Sequence, residues 1–233
     1  MNVPGEIQLV APPVESLPYP PVSPLLLRAV EDALAEAWRR LLSRTSNLKS
    51  LVVAHEDDIT NPLVDELARM RRHGFGAFRS ESFAAVVKSE ELKDYTGIKV
   101  QKRPDIILRL EPDPQFVVDE ERYFAVFVEA KIIDGPKRKT VDLYRDEGMA
   151  RFSDGRYAWK MREGMLCAYV LDGSSLAATL TPAVAPAPAP RSWPIPHSAE
   201  VAASEHPRTW SYCAPNQGSP GPITLSHVWL RPT

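Results

Sequence analysis

Glu129 and Lys131 stand two apart inside YFAVFVEAKII, an otherwise apolar run. Side chains of an extended strand alternate between faces, so Phe127, Glu129 and Lys131 share one face and Val126, Val128 and Ala130 the other. Opposite charges in such a run are costly to desolvate unless they pair or meet a ligand. One reading is a same-face ion pair where the strand end reaches solvent. The other needs a second carboxylate, and Asp105 supplies it, directly after Pro104 and 24 residues upstream. Two antiparallel strands that bring Asp105 near Glu129 would give two carboxylates able to hold a hard divalent cation. Such a cation polarises a phosphoryl group and lowers the pKa of bound water, and a lysine beside it adds charge without being a ligand.

The elements that must position these groups can be read from periodicity. Ser23-Pro24 opens LLLRAVEDALAEAWRRLLSR, where Leu27, Val30, Leu34, Ala37, Trp38 and Leu41 share one helical face. Thr60 and Pro62 suit the cap and first turn of a helix running to about Arg72, with Glu56, Asp57 and Asp58 just before or at its start. Carboxylates there are favourable to the helix dipole in their own right. Strands are expected at 82–87, in RPDIILRL, in YFAVFVEAKII and in MLCAYVLD at 165–172, the second and third forming a hairpin. Residues 141–164 read as a helix that Ser153-Asp154-Gly155 can interrupt. ITLSHVWL, at 223–230, is rich enough in strand formers to rejoin the sheet.

The chain of 233 residues is long enough for one domain with a real core. A 44% hydrophobic share and a net charge of −2 exclude a disordered charged tail and any bulk attraction to nucleic acid, so such binding needs local basic patches. Seven of the 23 prolines fall in residues 1–24 and eleven in 182–233. This divides the chain into a Pro-rich leader at 1–24 and a single domain at 25–233, its core at about 50–175, with a Pro-rich excursion before the strand at 223–230. Cys167 and Cys213 form no metal or disulfide pattern. The five histidines lack ligand spacing, and His227 reads as a strand residue with an ordinary hydrogen-bond partner. No GxSxG, GxGxxG or P-loop motif occurs. With no apolar run of about 18 residues and no signal-peptide pattern, a cytoplasmic, non-membrane protein is expected.

Pro104-Asp105 followed by Glu129-Ala130-Lys131 resembles the PD-(D/E)xK phosphodiesterase superfamily, the restriction-endonuclease-like nucleases, over about Glu56–Asp172. The order of helix, three strands, helix and strand agrees with that family. The resemblance implies an α/β fold with a restriction-endonuclease-like core, a central mixed β-sheet flanked by helices. It implies a metal-dependent nuclease using Mg²⁺ or Mn²⁺, with Asp105, Glu129 and the Ala130 carbonyl as ligands and Lys131 orienting or deprotonating the attacking water. A glutamate from the first core helix joins the site in many members. Glu56 resembles it, with Asp57 and Asp58 as competitors. DNA is the favoured substrate, and bacterial defence or restriction the kind of role such small nucleases serve. A homodimer or a protein partner would supply specificity. Lys137, Arg138 and Lys139, in a basic turn, and Arg151 and Lys160 beyond it, are the candidate nucleic-acid contacts. The competing reading is a noncatalytic nuclease-like subunit that binds nucleic acid or acts as a scaffold.

Overall fold

The Ser23 hydroxyl accepts from the Leu25 N–H at 3.3 Å, and Pro24, which has no N–H to satisfy, begins helix α1 (Pro24–Arg44). The computed structural model describes residues 17–44, 55–97, 100–112, 118, 120–194, 196, 198–212 and 219–232. Helix α2 (Glu56–His73) starts earlier than the sequence suggests. The Asp58 carboxylate accepts from the His55 N–H at 2.8 Å and closes the start, while Thr60 lies a turn inside and donates to the Glu56 carbonyl. Its buried face is Ile59, Leu63, Leu67 and Met70, at helical spacing. Glu66, also buried, receives Arg40 and Arg44 from α1 and Arg69 from its own helix, which fixes α2 against α1.

The main sheet comprises β1 (Phe83–Lys88), β4 (Ile106–Leu110), β5 (Ala125–Ile133), β6 (Glu163–Val170), β7 (Ala189–Pro190), β8 (Ala199–His206) and β9 (Ile223–Leu230). A small separate ribbon holds β2 (Leu92–Lys93) and β3 (Val100–Lys102). The strand order is β1-β4-β5-β6-β9-β8-β7, with β5, β6 and β9 parallel and the other neighbours antiparallel. The hairpin expectation holds, and the strand at 223–230 runs beside β6 with β8 on its other side. The fold is therefore α/β, a mixed central sheet flanked by helices. Among the described residues, no helix is long and apolar enough to cross a membrane.

Helix α3 occupies residues 141–153 and winds wide over Tyr144–Met149 before tightening again. It stops at Ser153-Asp154-Gly155, where Gly155 takes φ +78°, instead of running to 164. Opposite faces of the sheet receive the helices. On one face Trp38 of α1 stacks on Tyr169, ring centroids 5.6 Å apart, and Thr60 of α2 lies 3.0 Å from the Tyr169 hydroxyl. On the other, Gly148 of α3 passes over Leu166. One continuous apolar core joins these layers, and it includes Tyr19 and Val22, so the end of the Pro-rich leader is packed into the domain. The excursion after β6 also packs down, with Leu176, Leu180 and Val184 buried and β8 built from Ala199–His206. Cys167 is a buried free thiol; Cys213 lies outside the described residues.

Gly164 on β6 is a tight point between sheet and α3. A Cβ there would sit 2.5 Å from the ring of buried Phe152 and 3.1 Å from Leu225. Gly164→Ala is expected to lower stability by about 1–3 kcal/mol through overpacking. A urea midpoint equal to that of the native chain would show that the Phe152 ring has room to withdraw.

Candidate active site

The β4–β5 register pairs Ile106 with Val128, and one step further it sets Asp105 opposite Glu129. Pro104 cannot extend the ladder and holds the residue before it extended, so Asp105 begins where strand pairing begins. Asp105 Oδ2 accepts from the Ala130 N–H at 2.7 Å, which fixes its carboxylate against the strand that carries the other two groups. Glu129 and Lys131 share a face as period-two geometry requires, and Lys131 Nζ donates to Glu129 Oε1 at 2.7 Å. The same ammonium donates to the Ala130 carbonyl at 2.8 Å and to Glu56 Oε1 at 3.2 Å.

Three acidic residues open α2, and the structure gives each a different place. Asp58 caps the helix, Asp57 pairs with Lys88 of β1 at 3.1 Å, and Glu56 reaches Lys131. The carboxylate brought to the cluster is thus Glu56. Gly148 of α3 forms the roof: its Cβ position lies 3.0 Å from Leu166 and within 3.8 Å of the Glu129 and Lys131 side chains. A larger residue would lift α3 from the strand. The only hint of this in the sequence is an isolated glycine in a helical stretch.

Arg151, from the last turn of α3, also donates to Glu129 Oε1, and its guanidinium lies over the Tyr157 ring. Tyr157 in turn donates to the Arg103 carbonyl at 2.9 Å, joining this wall to the Pro104-Asp105 loop. Glu129 is fully buried, and its second oxygen, Oε2, has no partner among the described residues.

The charges are closely coupled. Burial, with the nearby charges of Glu129 and Glu56, pushes Asp105 up to about 7, although the Ala130 N–H and Lys131 hold it back. Burial also raises Glu56 against the pull of Lys131. For Lys131 the carboxylates outweigh burial, and its ammonium is held above the ordinary lysine value. Arg151 is raised in the same way, burial opposing and Glu129 favouring its charge.

The remaining sequence candidates fall in two groups. Lys137 and Arg138 are exposed on the turn that follows β5, Lys137 beside Asp134 at 3.3 Å and Arg138 in a left-handed conformation, φ 59°. Lys139 closes that turn through backbone bonds with Asp134. Lys160 does not face an open surface. It is 3% exposed, lies 3.2 Å from Glu120, and sits over the rings of Tyr19, Tyr123 and Trp159 at 5.1–5.6 Å. An ammonium enclosed this way ties the leader to the body, so the expectation of a phosphate contact gives way to a packing role.

Among the described residues, no three His, Cys, Asp or Glu side chains are grouped closely enough to hold a metal ion between them. The oxygens that do converge are Glu129 Oε1, the Ala130 carbonyl and Glu56 Oε1, gathered on the Lys131 ammonium. No protein-family model, no curated protein and no solved structure matches this chain.

Proposed function

We propose that the chain is a metal-dependent nuclease, with a restriction-endonuclease-like core, that hydrolyses phosphodiester bonds of nucleic acid, DNA being the favoured polymer. One observation carries the reading: a lysine ammonium stands among two glutamate oxygens and a peptide carbonyl, at 2.7–3.2 Å, and beside them a further buried glutamate oxygen has no partner among the described residues. Oxygen donors gathered on a cation fit Mg²⁺ or Mn²⁺. Mg²⁺ is usually held by one or two carboxylates, with waters and substrate phosphates filling the rest, so a cage of three acidic side chains is not required.

Glu129, Asp105 and the Ala130 carbonyl would hold the cation, and Glu56 would border it. The cation would supply charge to the phosphoryl group and acidity to a bound water. Lys131 would orient that water and stabilise charge on the phosphate. The water oxygen forms a bond to phosphorus, the bond from phosphorus to one ester oxygen breaks, the water gives up a proton to solvent, and the departing oxygen takes one. The exposed Lys137 and Arg138 with Lys139 would border a flanking phosphate.

A noncatalytic nucleic-acid-binding or scaffold subunit is favoured by a different observation, the closed pairing of Lys131 and Arg151 on Glu129. The two readings separate when labelled single- and double-stranded DNA and RNA are incubated with Mg²⁺ or Mn²⁺. Cutting by the native chain that is lost in Glu129→Ala and Lys131→Ala supports the nuclease. A folded native chain that binds these polymers without cutting them in either metal supports the subunit.

A further inference from the structure

Glu129 carries an asymmetry that folding alone does not require. Two cations, Lys131 and Arg151, both donate to Oε1, while Oε2 is buried without a partner among the described residues. A guanidinium that served only to neutralise this carboxylate would meet both oxygens through its fork, the geometry in which arginine binds carboxylates best. Arg151 does not. One terminal nitrogen reaches Glu129, and its Nε is also buried, with no partner among the described residues. The side chain is 15% exposed, and the Tyr157 ring beneath the guanidinium limits where it can move.

Charge balance points the same way. Asp105, Glu56 and Glu129 together carry three negative charges when ionised, and Lys131 and Arg151 two positive ones. A divalent cation added to this set leaves one positive charge in excess, which a phosphodiester, with one negative charge, neutralises. Glu129 held by a divalent cation also makes a hydrogen bond from a second cation to the same oxygen unfavourable, which frees the Arg151 fork.

We infer that Arg151 is the phosphate-binding residue of this site: its guanidinium rests on Glu129 in the free chain and donates to non-bridging oxygens of the substrate phosphodiester when Glu129 is engaged by a divalent cation. This rests on the nuclease reading and adds to it a named contact and an order of events, cation before substrate. It also separates Arg151 from Lys131. Arg151 grips the phosphate, whereas Lys131 stays with the water.

The test uses the full chain as native protein, Arg151→Met and Arg151→Lys. Mn²⁺ binding without nucleic acid is followed by the loss of free-ion electron paramagnetic resonance signal. Binding of a fluorescent oligonucleotide is measured in Ca²⁺, and cutting in Mn²⁺. Arg151→Met is expected to bind Mn²⁺ several-fold more tightly, because a like charge is gone, and to bind the oligonucleotide about tenfold more weakly. Its cutting should fall on the order of a hundredfold. Arg151→Lys keeps the charge without the fork, so it should bind Mn²⁺ as the native chain does and cut about tenfold more slowly.

An Arg151→Met chain that binds Mn²⁺ more weakly, or that holds and cuts the oligonucleotide like the native chain, would reduce Arg151 to a prop for Glu129 and overturn the inference. If methionine at this position prevents folding, Arg151→Lys decides, and cutting at the native rate overturns it. Failure of the underlying reading looks different: the native chain itself then takes up no Mn²⁺ and cuts nothing.

Discussion

Lys131→Met is expected to lower metal-dependent cutting by on the order of a thousandfold while leaving the chain folded, whereas Lys131→Met combined with Arg151→Met should destabilise it strongly. The contrast follows from how Glu129 is compensated. Its side chain is fully buried, and the two cations meet at one of its oxygens. Removing either leaves a charged partner on Glu129, so Arg151→Met should cost about 1.5–3 kcal/mol of stability, the usual worth of a hydrogen bond to a charged group, and Lys131→Met somewhat more, because Lys131 also donates to Glu56 and to the Ala130 carbonyl. Removing both leaves an uncompensated buried carboxylate, for which a penalty of about 3–5 kcal/mol is usual, and this comes on top of the bonds lost in the single variants, so the double effect should exceed their sum. Urea unfolding of the native chain, the two single variants and the double variant, without divalent cations, measures the coupling directly. Simple additivity of the single effects would mean that Glu129 is neutralised by something other than these two side chains. Mn²⁺ should then restore part of the double variant's stability, since a ligand that binds only the folded chain stabilises it by mass action.

Much of this arrangement is legible in the sequence. The Asp105, Glu129 and Lys131 placement follows from two facts about strands, alternation of faces and antiparallel register, and both are visible in a short hairpin with Pro104 marking its start. Glu56, Asp57 and Asp58 could not be separated by the same means. All three lie in the first turn of α2, about 100° apart in rotation, and what distinguishes them is tertiary: Lys88 waits on β1 for Asp57, and Lys131 on β5 for Glu56. Thr60 has the chemistry of a cap, yet Asp58 takes that part by accepting from the His55 N–H. Arg151 was legible as a cation near the site, but the wide winding of Tyr144–Met149 alters the rotation of everything after it, so ordinary helical spacing does not turn it toward Glu129. Strand β8 was missed for a different reason. AEVAASEH is poor in branched and aromatic residues, and its strand character comes from full-length pairing with β9, running from Ala199 opposite Leu230 to His206 opposite Ile223 across the intervening excursion.

His227, expected to be an ordinary strand histidine, is the middle of a buried polar chain. The Tyr144 hydroxyl lies 2.9 Å from His227 Nδ1, and Ser204 Oγ lies 2.7 Å from both His227 Nε2 and His206 Nε2. With neutral imidazoles the line can be satisfied in either direction, Tyr144 to His227 to Ser204 to His206 or the reverse, because each hydroxyl both donates and accepts. Burial first, then the charges of His206 and Arg191, lower His227 from 6.5 to about 3. The sign follows from proton counting: between these values the unfolded chain binds the proton and the folded chain does not, so this contribution is present above pH 6.5 and is lost as pH falls toward 3. Its ceiling is about 5 kcal/mol, with about 2 kcal/mol lost by pH 5. Glu31 and Asp105 oppose it in the same window, because burial raises each to about 7 and the folded chain then binds more protons than the unfolded one. The native pH profile therefore mixes both signs, and the informative quantity is the difference from His227→Gln, which cannot titrate. That variant should be less stable than the native chain at pH 7, and the gap should narrow by about 2 kcal/mol at pH 5. A gap of equal size at the two pH values, from urea unfolding of both chains, would show that His227 does not remain neutral in the fold.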